Sequence, residues 1–146
     1  MDKRLCAAAV QFNIVLGDVD QNLVRAAAGL ERAAKQGAQL AVLPEMWSAG
    51  YDYKRLSRHA EKTPGVLDAV SGWSAQFGLV VVGSLPEKMD DRIYNTAYVI
   101  DQGDDDSIAF KNPGGWVEII PGFPEQPAWG WGAFRGNILT SGAKKI

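Results

Sequence analysis

Apolar and polar positions along the first hundred residues alternate between two rhythms, and the changes of rhythm mark the elements. Leu5 to Phe12 is a nearly continuous run of small-apolar and β-favouring residues, which predicts a buried strand. Gly17 and Asp18 end it, and Asp18 followed by Gln21 has the spacing of a helix-capping pair. Leu23, Ala27, Leu30 and Ala34 then recur at helical spacing, with Arg25, Glu31, Arg32 and Lys35 on other faces and Gly37 placed to close the helix. Gln39 to Leu43 is a second short apolar strand, stopped by Pro44. A helix is predicted over Tyr53 to Glu61, broken by Thr63-Pro64-Gly65, and another over Val66 to Phe77 with Leu67, Val70, Trp73 and Phe77 facing inward. Leu79 to Ser84 is a strongly β-branched strand, and Ile93 to Ile100 alternates as its antiparallel neighbour would. Asp101 to Ser107 reads as a polar turn, and Ile108 to Lys111 starts a further strand. The order is that of an α/β fold.

Composition narrows the class of protein. The 146 residues suffice for one domain of ordinary size, and 47% hydrophobic with 22% charged residues is the balance of a soluble globular chain. A formal net charge of −2 gives no reason to expect nucleic acid or an anionic membrane as partner. The apolar run after Lys3 and Arg4 is too short for a secretory core, and no run reaches the length of a membrane span, so a cytoplasmic location is expected. The one cysteine, Cys6, excludes an internal disulfide framework and a multi-cysteine zinc site. No cofactor and no metal are expected. Residues 112–146 differ from the rest: these 35 residues hold seven of the sixteen glycines, four of the seven prolines and three of the five tryptophans (Trp116, Trp129, Trp131). Two segments follow, 1–111 as the globular part and 112–146 as a divergent, irregular Gly/Pro/Trp-rich tail.

The segment richest in chemistry is Leu43-Pro44-Glu45-Met46-Trp47-Ser48-Ala49-Gly50-Tyr51. It puts the carboxylate of Glu45 just beyond the carboxyl end of a strand, where ligand and catalytic groups of α/β sheets gather because the loops there vary over a fixed scaffold. Position alone is equally compatible with a solvated loop acid. The wider pattern adds Ala9-Val10-Gln11-Phe12-Asn13, Gly17-Asp18 with Asn22, Gly37-Ala38, Val82-Gly83-Ser84 and Tyr94-Asn95-Thr96-Ala97. In order and spacing, from about Leu5 to Phe110, this resembles the carbon–nitrogen hydrolase, or nitrilase, superfamily. The resemblance implies an α-β-β-α sandwich, incomplete here, and a Glu-Lys-Cys catalytic set that opens amides or nitriles through a thioester. Glu45 matches the general base of that set. A cysteine thiol near pKa 8.5 attacks well only when a base takes its proton, and a lysine would stabilise the oxyanion. The implied partner is a small amide or nitrile substrate.

The match then departs from the family pattern. Lys111 stands near the family's lysine, but it leads into Asn112-Pro113-Gly114-Gly115, and no cysteine follows. Cys6, in the first predicted strand, is expected to be a small buried hydrophobe. His59, between Arg58 and Glu61, is expected on the surface. Asp101 with Asp104, Asp105 and Asp106 lacks the spacing of a calcium loop, and Gly130-Trp131-Gly132 with Gly136 lacks that of a dinucleotide fingerprint. Three readings stay open. The chain derives from a nitrilase-type hydrolase, truncated near Lys111 and inactive in this form; it is a non-catalytic binding or regulatory remnant of the same fold; or it is an unrelated nucleotide-binding α/β domain, which would want a phosphate loop that is not present. Glu45 is expected near the carboxyl ends of the strands and partly shielded from water. Strands made to be covered on both faces lead to the further expectation of self-association.

Overall fold

The computed structural model describes residues 4–101 and 108–111, the last four by backbone alone. Strand β1 (Ala7–Ala9) leads to helix α1 (Val19–Lys35) and strand β2 (Leu40–Val42). A 3-10 turn at Tyr53–Arg55 opens directly into helix α2 (Leu56–Phe77), followed by β3 (Val80–Met89), β4 (Arg92–Asp101) and β5 (Ile108–Lys111). The strands form one sheet in sequence order, parallel from β1 to β3 and antiparallel from β3 to β5. The predicted polar turn falls largely outside the described residues, as does the 112–146 tail.

Both ends of α1 are built as the sequence predicts. Asp18 accepts from the Gln21 backbone N–H at 3.0 Å, and its other oxygen accepts from the Gln21 side-chain amide. At the far end Gly37 stands at φ +82, its N–H bonded to Ala34 O while Ala38 N–H reaches Ala33 O. This paired closure satisfies carbonyls that the helix leaves orphaned. The buried stripe is Val19, Asn22, Ala26, Gly29, Leu30 and Ala33, with Leu23 and Ala34 at its margin. The predicted row Leu23, Ala27, Leu30 and Ala34 is therefore centred one row off. The true centre includes a glycine because the helix backbone comes down on Val10: a Cβ on Gly29 would meet Val10 Cγ1 at 2.4 Å.

Helix α2 corrects the prediction of two helices. It runs unbroken for 22 residues with Pro64 inside it. His59, Ala60, Thr63, Val66, Val70 and Ser74 form one buried stripe, whereas Pro64 and Gly65 face solvent. A proline removes one helical hydrogen bond, but the ring of Pro64 lies on the outer face, so the inner stripe keeps its packing. The helix is pinned to the sheet by polar contacts as well. The Thr63 hydroxyl donates to Pro86 O at 2.5 Å, and the Ser74 hydroxyl donates to Leu79 O at 2.6 Å. Strand β3 likewise extends past its predicted end at Ser84, through Pro86. Its register with β2 stops at Val82, so on that side β3 is an edge, where a missing N–H is tolerated.

Both helices lie on one face of the sheet. The row Ala8, Ala41, Val81 and Ile100 points toward them, and Ala41, Val81 and Ile100 are each at most 2% exposed. The adjacent row, Ala9, Val42, Val82 and Val99, points the other way; Ala9 is exposed and Val42 is 42% exposed. The first strand is therefore shorter than predicted and is not buried. Its continuous apolar run suits a strand covered on both sides, and the described residues cover one side only. Cys6 lies exposed just before β1, contrary to the buried position expected of it.

Gly29→Ala should lower the urea midpoint of unfolding. Overpacking against Val10 costs about 1–3 kcal/mol, more than the ~1 kcal/mol of helix propensity that alanine brings. In a Val10→Ala background the same change should raise the midpoint, and a fall in both backgrounds would show that the α1–β1 approach is not the cause.

Candidate active site

Glu45 follows β2 by three residues, at the carboxyl end of the parallel strands. The segment behind it takes a sharp path. Met46 has φ +51, a left-handed conformation that a non-glycine residue rarely adopts, and Gly50 has φ +65. Such strain persists only where the surroundings over-determine it, and here they do. Met46 N–H donates to Ser84 Oγ at 3.0 Å, Gly50 N–H to Met46 O at 2.7 Å, and Gly17 N–H to Ala49 O at 2.8 Å. Met46 and Trp47 are 2% and 1% exposed, so their burial anchors the turn from below.

Asn22 ties this turn to the loop after β1. It is fully buried; its Oδ1 accepts from Val15 N–H, and its Nδ2 donates to Val15 O and to Ser48 O, all within 2.9 Å. Three backbone groups that would otherwise be buried without partners are satisfied by one side chain.

At the far end of the segment Asp52 makes the second tie. With Asp52 ionised, His59 Nε2–H donates to its Oδ2 at 2.8 Å, and Arg55 Nε donates to the same oxygen at 2.7 Å. The hydrogen bond from His59 holds the Asp52 carboxyl below the usual carboxylate range; burial opposes this, and the Arg55 charge reinforces it. Gly17 makes room for the pair, since a Cβ there would come within 2.6 Å of Asp52 Oδ2. His59 is thus 4% exposed, a correction to its expected surface position. The helical spacing 59, 63, 66, 70 carried the signal, but the charged neighbours Arg58 and Glu61 masked it.

The carboxylate of Glu45 is met from two directions. Asn95 Nδ2 of β4 donates to Glu45 Oε1 at 2.7 Å, across fifty positions of sequence. The Tyr51 hydroxyl donates to it as well; burial, that hydrogen bond and the Glu45 charge together push the Tyr51 phenol well above its ordinary pKa. Glu45 itself is exposed rather than shielded, because the described residues place no element over the open face of the sheet. Cys6 sits before β1, at the opposite end of the parallel pair from Glu45. The backbone of Lys111 stands opposite Thr96, one residue along β4 from Asn95. Among the described residues no cluster of histidine, cysteine, aspartate and glutamate is suited to a metal, and no helix is long and apolar enough to cross a membrane.

The model of the carbon–nitrogen hydrolase family matches residues 6–111. The chloroplastic omega-amidase of Arabidopsis thaliana is 32% identical over 115 residues, covering 70% of this chain and 31% of that protein. The 2-oxoglutaramate amidase of Bacillus subtilis is 30% identical over 105 residues, covering 65% of this chain and 37% of the relative. The chain thus spans about a third of the length of the curated relatives it matches. In solved structures, a Nesterenkonia AN1 amidase from the nitrilase superfamily is 25% identical with a TM-score of 0.66, over 74% of this chain and 42% of that one. In a mutant of that amidase the acetamide moiety of fluoroacetamide is added covalently at the active-site cysteine.

The Asp52 tie has a pH signature. A carboxyl whose pKa is depressed by folding contributes stability above its unfolded value, near pH 4, and that contribution is lost as pH falls through the folded value. Chemical denaturation repeated from pH 7 down to pH 2.5 should show a loss of stability below about pH 4 that is smaller in Asp52→Asn. Equal acid losses in the two chains would remove Asp52 from the account.

Proposed function

Because this chain belongs to the carbon–nitrogen hydrolase family, we propose that it carries the carboxylate side of an amide-hydrolysing centre, with Glu45 as the general base of a thioester mechanism. The observation that carries this reading is the convergence of Asn95 and Tyr51 on Glu45, at the end of a strained and doubly tied segment. In the reaction the carboxylate would take the proton of a thiol as its sulfur attacks the amide carbon, then pass that proton to the departing amine. It would next take a proton from the water that opens the thioester. A lysine ammonium would hold the oxyanion. The relatives' names point to small ω-amides, among them 2-oxoglutaramate, as the substrate class.

The 146 residues by themselves would not turn over such substrates. Cys6 is their one cysteine and lies at the wrong end of the sheet. Absence of the nucleophile from a coupled catalytic set costs on the order of a millionfold in turnover. Purified chain given ω-amides should release no ammonia above the blank. Residues 6–111 joined to the remaining part of the Nesterenkonia amidase should restore hydrolysis, and Glu45→Gln in that hybrid should reduce kcat about a thousandfold or more. Activity of the hybrid that survives Glu45→Gln, or ammonia release by the chain that vanishes with Cys6→Ala, would sink the reading.

The open face of the sheet also supports self-association of the chain. It presents Val42 beside Ala9, Val82 and Val99, a flat apolar row of the kind that pairs with other chains. In size-exclusion chromatography with light scattering, the chain should run above its monomer mass of 15.8 kDa. Val42→Glu should shift it toward monomer, and a monomer in both cases would refute the expectation.

A further inference from the structure

The two donors on Glu45 differ in what they are attached to. Tyr51 belongs to the same turn as Glu45 and moves with it, whereas Asn95 comes from β4, in the middle of its ten-residue pairing with β3. The amide of Asn95 also has a defined sense. Its Nδ2 faces the carboxylate, and its Oδ1 is buried without a partner among the described residues. Turning the amide over would bring Oδ1 against a carboxylate oxygen, two acceptors in contact, so the orientation seen is the one that electrostatics allows. The unpartnered Oδ1 carries a desolvation cost with no return in packing; a leucine or valine at that point of the strand would avoid it. Both donors are neutral, so they fix the direction of the carboxylate and leave its charge uncompensated.

We propose that Asn95 is a positioning residue: it orients the carboxylate of Glu45 from the rigid sheet, with Tyr51 as the second, loop-borne donor. This rests on the reading of Glu45 as general base. A glutamate has three rotatable bonds, and on an exposed turn it would sample several rotamers; a base acts only when its oxygen is held within hydrogen-bond reach of the proton it takes. The strained turn sets where the Glu45 Cα stands, and Asn95 sets where the carboxylate points.

The test reads the side chain of Glu45 in the 146-residue chain by NMR. Three-bond couplings across χ1 and χ2 of Glu45 should report a single rotamer in the parent, partial averaging in Tyr51→Phe and full averaging in Asn95→Leu, with backbone amide shifts outside the site unchanged. Retention of the single-rotamer couplings in Asn95→Leu, or averaged couplings already in the parent, would overturn the proposal. A second measurement needs no change at Asn95. Its two side-chain amide protons, one of them on a carboxylate oxygen, should be well separated in chemical shift in the parent and draw together in Glu45→Gln; an unchanged separation in Glu45→Gln would also overturn it. Neither measurement involves turnover. A hybrid enzyme indifferent to Glu45→Gln would therefore end the general-base reading while leaving the orientation of Glu45 by Asn95 to stand or fall on its own spectra.

Discussion

Asn22 is fully buried, and its amide makes three hydrogen bonds to backbone: two to Val15 and one to Ser48. The loop after β1 and the turn after β2 are separate stretches of irregular chain, and irregular chain carries backbone polar groups that demand partners when buried. One side chain on α1 supplies those partners for both. The helix, whose stripe packs on the sheet through Gly29 and Val10, thereby fixes the ends of two parallel strands relative to each other. The positions of Glu45, Met46 and Trp47 all follow from that tie.

The turn that holds Glu45 is secured at several points because its backbone is not at rest. Met46 in a left-handed conformation costs of order 1–3 kcal/mol. Ser84 from β3, the burial of Met46 and Trp47, and the Asp52–His59 pair offset it. These constraints come from β3, α1 and α2, three elements far apart in sequence. The result is a carboxylate whose Cα is rigidly placed and whose head is reached by a donor from β4. Such an arrangement suits the general-base role proposed for Glu45.

The sheet shows the converse case, a feature made for more than the described residues provide. The apolar character of Leu5 to Phe12 and of Leu79 to Ser84 suits strands covered on two faces. The helices cover one. Glu45 lies at the end of this sheet, and its exposure has the same origin as that of Val42.

Much of this protein was legible in the chain itself. The order of elements, the Asp18 cap, the Gly37 closure, the β3–β4 pairing and the place of Glu45 after β2 all depend on residues close together in sequence, where spacing and backbone preference act directly. What only the tertiary structure decided depends on contacts between distant residues. Pro64 lies within a continuous helix because its face happens to be the solvent face. His59 is buried because Asp52 stands ready to accept from it, and Cys6 is exposed because it precedes β1, which begins only at Ala7. The bond from Asn95 to Glu45 joins residues fifty positions apart. No local preference encodes such a meeting, since it exists only once the strands have paired and the turn has been held in its strained form.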